Sequence, residues 1–314
     1  GVRSLGELQV RDPGPQEILI QIAAAGLNRA DCLQRRGVYP APPGTVPDVP
    51  GLEFSGTVAK LGSEARAFKL GDRVMGICAG GAMATHIVAH ERELVAVPAG
   101  IGLVEAAAIP EVFMTAYDAL FLQAKLTMGE RVLIHAAASG VGTAAIQLAN
   151  AVGATPIGTS RSQEKLERVK ALGLEHGIVP GEQGFAEQLK ALTKGAMVDV
   201  ILDTVGAKYL GENLKAAAPG GRIVVIGLLG GVKAELPLGV LVAKRLSLRG
   251  SVLRSRPLEE KANLAQSFYR SVLPLFARGA LKPVIAEVMP MTEVREAHRK
   301  LEADEVVGKI VLAW

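Results

Sequence analysis

The sequence predicts an α/β chain of two domains, a doubly wound parallel sheet joined to a mainly β domain. Three observations predict it. The chain has 314 residues, more than the roughly 250–300 at which single cores stop growing. Its first hundred residues are short apolar runs set between Gly and Pro. From about Val104 onward, runs of strand type alternate with helical patterns of 10 to 15 residues, the signature of βαβ units.

In the first part the pattern predicts strands over Ile18–Ala23, Phe54–Ala59, Arg73–Ile77 and Leu94–Val97. Pro40, Pro42, Pro43, Pro47 and Pro50 exclude a long helix in the stretch they occupy, because proline lacks an N–H and clashes with the preceding turn. Glu105–Ala124 reads as helix, Arg131–His135 as strand and Gly142–Val152 as an Ala-rich helix. Next come strand Thr155–Gly158, helix Ser162–Leu172, a short strand near Gly177–Val179, helix Phe185–Leu192, strand Val198–Asp203, helix Lys208–Ala217 and strand Arg222–Gly227. Strand Leu246–Gly250, a long amphipathic helix over Leu258–Ala277 and strand Lys309–Ala313 complete the chain, the last expected to return to the first domain. The expected domains are 1–112 with 255–314, and 113–254.

Composition bounds the function. Apolar residues make up 49% and charged residues 21%, as in folded chains that stay in water. Lys and Arg number 35 against 31 Asp and Glu, and no basic run is long enough to track a phosphate backbone, so nucleic acid is not an expected partner. Cys32 and Cys78 are the only cysteines and cannot build a disulfide framework, so a cytoplasmic, reducing compartment is expected. No charged-then-apolar leader opens the sequence, and no apolar run reaches the roughly 18 residues of a membrane span. His86 and His90 have i, i+4 spacing but fall where Thr85–Val88 reads as strand, and are expected to be ordinary surface histidines.

The strand Arg131–His135 runs into Ala136-Ala137-Ala138-Ser139-Gly140-Val141-Gly142 and then a helix. Ala137, Ser139 and Gly142 occupy the three small positions of a GxGxxG fingerprint, where the backbone can approach a pyrophosphate at a helix N-terminus. Inside a Rossmann-type alternation this predicts a dinucleotide site using Ser139, Gly140, Val141 and Gly142. About eighteen residues on, an NAD enzyme would carry Asp or Glu for the ribose 2′-hydroxyl. The chain instead reads Gly158-Thr159-Ser160-Arg161, with Lys165 a turn later. Ser160, Arg161 and Lys165 suit a 2′-phosphate, so NADPH is the expected cofactor.

The blocks Asn28-Arg29-Ala30-Asp31, Pro50-Gly51-Leu52-Glu53-Phe54-Ser55-Gly56, Gly71-Asp72-Arg73-Val74, Ala107-Ala108-Ile109-Pro110, Ala138–Gly142 and Gly308-Lys309-Ile310-Val311-Leu312 resemble, in order and spacing, the medium-chain dehydrogenase/reductase superfamily. Within it the chain is most similar to the quinone oxidoreductase (zeta-crystallin) family, especially the branch whose mammalian member is induced by a tumour suppressor; Leu27–Gln34, His135–Leu148 and Leu253–Arg256 carry that likeness. The resemblance implies a GroES-like catalytic domain whose first strand precedes Gly1. It also implies nicotinamide-pocket positions at Gly227 and along Gly250-Ser251-Val252, and Pro180 where relatives place a tyrosine on the adenine.

Zinc-dependent relatives set a catalytic metal on cysteine and histidine at positions that match Asn28, Leu52 and Glu111, a set that cannot hold it; no metal site is expected. Without ligands for a Lewis acid, reduction of an electrophilic acceptor is expected rather than alcohol oxidation. By resemblance Asn28 and Tyr39 lie beside the nicotinamide, where the amide or the phenol could polarise a quinone oxygen or hold the cofactor. Asn28 could equally cap a local turn, and Tyr39 could pack on the proline-rich loop. The expected reaction is NADPH-dependent quinone reduction. An enoyl or alkenal reductase and a non-enzymatic cofactor-binding or RNA-binding protein are the alternatives, and the resemblance implies a homodimer through the edge strand at Leu246–Gly250.

Overall fold

Alternating burial lays down the first strand, β1 (Glu17–Leu27), whose Ile18, Ile20 and Ile22 point to the core between more exposed neighbours, the period-two pattern of a sheet with one buried face. The computed structural model describes residues 5–46, 48–182 and 184–314; Pro47 of the proline cluster lies outside them. After β1 come α1 (Arg29–Arg35), β2 (Glu53–Leu61), β3 (Arg73–Ile77), β4 (His86–His90), β5 (Leu94–Ala96), α2 (Leu103–Ala106) and α3 (Pro110–Tyr117). The middle of the chain is β6 (Arg131–Ile134), α4 (Gly140–Ala151), β7 (Thr155–Thr159), α5 (Gln163–Lys170), β8 (His176–Ile178), α6 (Ala186–Leu192), β9 (Val198–Asp203), α7 (Leu210–Ala216), β10 (Ala217–Val225), α8 (Leu238–Ala243) and β11 (Ser247–Gly250). The last part is α9 (Leu258–Ser271), α10 (Leu273–Ala277), β12 (Ile285–Pro290), α11 (Val294–Glu302) and β13 (Lys309–Ala313).

These elements form two units, Gly1–Met114 with Leu253–Trp314, and Thr115–Val252. In the first, the sheet runs β12-β13-β1-β2-β3-β5, with β4 also paired to β1. Its core gathers Ile18, Ile20, Phe54, Val74, Leu94 and Leu312. The final strand does return here, antiparallel to β1 with Leu27 opposite Ile310. In the second unit all strand pairs are parallel, in the order β11-β10-β9-β6-β7-β8. Its inner strands are buried, with Leu133, Ile157, Ile201 and Ile223 in one core, as helices on both sides of a parallel sheet require, while the edge strand β11 is exposed.

Two predicted helices are broken. Glu105–Ala124 is α2, α3 and a π-helical turn over Asp118–Gln123, because Pro110 has no N–H to carry α2 onward and suits the first position of a new helix. Leu258–Ala277 stops at Val272, and Pro274 lies in the first turn of α10. The short helices α1, α8 and α11 and strand β12 had no counterpart in the reading of the sequence. Among the described residues no helix is long and apolar enough to cross a membrane.

Candidate active site and cofactor crevice

Taken from β8, the parallel sheet runs β8-β7-β6-β9-β10-β11, so strand order reverses between β6 and β9. A doubly wound sheet receives its ligand at the carboxyl ends of the strands beside that reversal. The predicted cofactor residues stand at those ends. Ala136 takes φ +49 directly after His135, a left-handed turn costing a non-glycine residue about 1–2 kcal/mol. Ser139 then caps α4 by accepting the Gly142 N–H at 3.0 Å. Gly140 and Val141 follow the cap, and their N–H groups, in the first turn, have no intrahelical partner. At Gly142 a Cβ would lie 2.5 Å from the carbonyl oxygens of Ala136 and Ala137, so only glycine closes this turn.

Beyond β7, Ser160 Oγ accepts the Ser162 N–H at 3.2 Å, and the Lys165 N–H reaches Ser162 Oγ at 3.3 Å. Arg161 is exposed and Lys165 partly so. Arg161 acts on the Tyr209 hydroxyl, whose pKa burial raises and the guanidinium lowers. No carboxylate stands between Gly158 and Ser162. Past β10, a Cβ at Gly227 would lie 2.7 Å from the Thr204 carbonyl oxygen. Past β11, Ser251 donates its N–H to Val225 at 2.9 Å and its hydroxyl to Asp118 at 2.7 Å. Pro180 follows β8 and is half-buried. The turn and the capped helix fit the pyrophosphate of a nicotinamide dinucleotide.

The first unit has its own buried polar cluster. Asn28 leads from β1 into α1, and Asp31 one turn later is fully buried, its carboxylate accepting the Asn28 and Gly51 N–H groups at 2.8 Å each. Burial lifts Asp31 to about 6 even with those two donors. Lys309, at the start of β13, is 4% exposed and sends its ammonium to the Leu27 carbonyl at 2.8 Å, Asn28 Oδ1 at 2.6 Å and Glu53 Oε1 at 2.6 Å. Asn28 Nδ2 donates to Glu53 Oε1 at 2.9 Å and to the Gly26 carbonyl at 3.3 Å. The Asn28 amide is thus committed inside the protein at both ends.

Tyr39 is half-buried, and burial raises its hydroxyl's pKa. Among the described residues nothing is hydrogen-bonded to that hydroxyl. Its ring lies 5.0 Å from the guanidinium carbon of Arg254, which is 5% exposed and donates to the Ala79 carbonyl at 2.7 Å, the Tyr39 carbonyl at 3.1 Å and Gln34 Oε1 at 2.5 Å. Arg254 therefore ties Tyr39, at the start of the proline-rich loop, to Gln34 and Ala79. Asp31, Glu53, Lys309 and Arg254 were not singled out from sequence; Glu53 and Lys309 carry the signal of a charged residue beside an apolar run, whereas Asp31 and Arg254 sit among polar neighbours that give none.

Glu111, in the first turn of α3, donates its N–H to Glu53 Oε2 at 2.8 Å. Burial first and Glu53 second push its carboxyl up to about 8. The folded chain therefore holds a proton that the unfolded chain releases near 4.5, and stability falls as pH rises from 4.5 to about 8. Glu111→Gln should remove a slope on the order of 1 kcal/mol per pH unit. Denaturant unfolding at a series of pH values checks this: the variant gains on the wild type toward pH 8, and equal slopes would show an ionised carboxyl.

The alcohol dehydrogenase GroES-like domain family matches residues 14–99, and the zinc-binding dehydrogenase family matches residues 140–269. A quinone oxidoreductase of Pseudomonas aeruginosa is 33% identical over 312 residues, covering 98% of this chain and 94% of that protein. The chain belongs to the quinone oxidoreductase family of the medium-chain dehydrogenase/reductases. Among solved structures, Escherichia coli quinone oxidoreductase complexed with NADPH superimposes with a TM-score of 0.88 at 30% identity, covering 98% of this chain and 95% of the other. The CurK enoyl reductase does so with 0.86 at 30%, covering 98% and 94%.

Zinc does not fit this member of the quinone oxidoreductase family, although residues 140–269 match the zinc-binding dehydrogenases. Asn28 spends its amide oxygen on an ammonium, Leu52 is a core residue 2% exposed, and Glu111 is left as a lone carboxyl. Among the described residues no three His, Cys, Asp or Glu side chains are set to hold a metal ion. In this oxidoreductase the cation beside Asn28 is the Lys309 ammonium, which is paired with the Glu53 carboxylate at 2.6 Å.

Proposed function

We propose that the chain is an NADPH-dependent reductase of small quinones. The observation that carries the reading is the end of β7, where Ser160, Arg161 and Lys165 stand in the place of an acidic residue and would meet a 2′-phosphate. Ser139, Gly140, Val141 and Gly142 would hold the pyrophosphate, and Gly227 and Ser251 would border the nicotinamide. When bound, NADPH supplies a hydride. The protein's part is to orient the acceptor and to meet charge on its oxygen. Tyr39 is the proposed donor, because its hydroxyl stays protonated and unengaged; Asn28, with its amide committed to Lys309 and Glu53, is proposed to shape the pocket. Two free thiols, one of them buried, suit a cytoplasmic setting. The exposed edge β11, beside exposed Val240 and Val242 of α8, suits pairing with a second copy.

Tyr39→Phe should lower turnover of 9,10-phenanthrenequinone about tenfold or more if the phenol meets the developing oxyanion. If it holds the cofactor instead, the dissociation constant for NADPH rises and turnover at saturation stays. Steady-state kinetics with both proteins separates these.

Solved enoyl reductases of similar fold favour a second reading, reduction of a C=C bond conjugated to a carbonyl. An assay of 9,10-phenanthrenequinone beside a crotonyl thioester, each with NADPH, decides between them. Fast reduction of the thioester with every quinone untouched overturns the quinone assignment.

A further inference from the structure

In the parallel-sheet unit one chain of buried side chains ties three strand ends together. Thr159 closes β7, Asp203 closes β9, His135 follows β6 directly and Asn213 comes from α7; none is more than 1% exposed. Donor and acceptor chemistry fixes the direction of the chain. The Asp203 carboxylate accepts from the Val205 and Gly206 N–H groups at 2.7 and 2.9 Å and from Asn213 Nδ2 at 2.9 Å. The Asn213 amide must then present its oxygen to His135 Nε2, 2.7 Å away, so Nε2 carries the proton. Nδ1 is left as an acceptor, 2.9 Å from the Thr159 hydroxyl, which donates to it.

The backbone joins this chain to the crevice. The Ala137 N–H, inside the phosphate turn, donates to the Thr159 carbonyl at 2.9 Å, and the His135 N–H donates to Leu202 at 3.0 Å. His135 and Asp203 thus stand on either side of the strand-order reversal, and Thr159 directly precedes the Ser160-Arg161 segment. Phe185 and Tyr209 meet the imidazole edge to face at 4.9 and 4.8 Å. The charged or titratable groups around it are Asp203 from β9, Tyr209 from the turn before α7, and Arg161 after β7, which acts through Tyr209. Thr159, Asn213 and Phe185 carry no charge. Burial keeps the imidazole below the usual histidine range against the pull of Asp203.

We propose that His135 is a positioning residue for the nicotinamide cofactor: its neutral Nε2–H form sets the phosphate turn, the segment after β7 and the loop after β9 in their binding geometry. A second proton on Nδ1 would force the Thr159 hydroxyl to reverse, and the same residue's carbonyl holds the turn through Ala137. The inference rests on the reading of this crevice as an NADPH site.

Thr159→Val removes the hydroxyl without changing shape, and Thr159→Ser keeps it. Titration with NADPH, followed by its fluorescence, should give a dissociation constant about three- to tenfold weaker for Val and within about twofold of wild type for Ser, as loss of one buried hydrogen bond implies. Thermal unfolding run in parallel separates affinity from stability. Nitrogen-15 spectra of the five histidines in the wild type should place His135 as the neutral Nε2–H tautomer at neutral pH. Equal affinities for wild type, Val and Ser, even with a lower melting temperature in Val, would show that the chain serves the fold alone and overturn the inference. Equal losses in both variants, or a doubly protonated ring at neutral pH, would overturn it too. A wild type that fails to bind NADPH removes the cofactor reading, and this inference with it.

Discussion

Lys309→Met should destabilise the first unit by about 3–5 kcal/mol, the loss expected when one partner of a buried ion pair is removed. The three hydrogens of the Lys309 ammonium are matched by three acceptors, Leu27, Asn28 and Glu53. Methionine fills the volume but leaves the fully buried Glu53 carboxylate with only the Asn28 amide and the Glu111 N–H. Urea unfolding followed by circular dichroism measures the loss. Lys309→Met combined with Glu53→Gln should lose less than Lys309→Met alone, because no uncompensated charge remains. A loss below about 1 kcal/mol for the single variant would place the pair among solvated ones.

Arg161→Ala should weaken NADPH binding by about 1.5–3 kcal/mol, roughly ten- to 150-fold, the worth of a charge-assisted hydrogen bond to phosphate. NADH, which lacks the 2′-phosphate, should bind wild type and variant alike. That contrast separates a phosphate contact from a general effect of net charge, which would shift both cofactors together and fade with salt. Isothermal titration of the two cofactors against the two proteins measures it. Equal losses for NADH and NADPH would make Arg161 an ordinary surface cation.

The parallel sheet was legible because its signal is local: apolar runs of strand length, helices between them, and a small-residue turn after Ile134 all lie within one stretch of chain. Arg73–Ile77, Val198–Asp203 and Lys309–Ala313 match the observed strands to the residue. What local periodicity cannot carry was missed. Strand β12 has alternating exposure with only Met289 deeply buried, so its apolar stripe is weak, and its pairing with β13 is a tertiary fact. Helix α1 is two turns long, too short for a periodic pattern to stand out. In the first unit, Asn28 was found by motif, but its partners Glu53 and Lys309 lie 25 and 281 residues away, joined only when β1 pairs with β2 and β13. His135 was read as the end of a strand, since nothing in its neighbours announces Asn213 or Asp203. The common signal is a charged or polar residue in an otherwise apolar run, which marks a buried network without naming its members.

The most direct test of the central claim is the steady-state rate of wild-type protein with 9,10-phenanthrenequinone, measured with NADPH and with NADH as donor. The account predicts turnover with a kcat/KM for NADPH at least about tenfold above that for NADH, as a lost charge-assisted contact implies. Equal values for the two donors, or no quinone turnover with either, would contradict it.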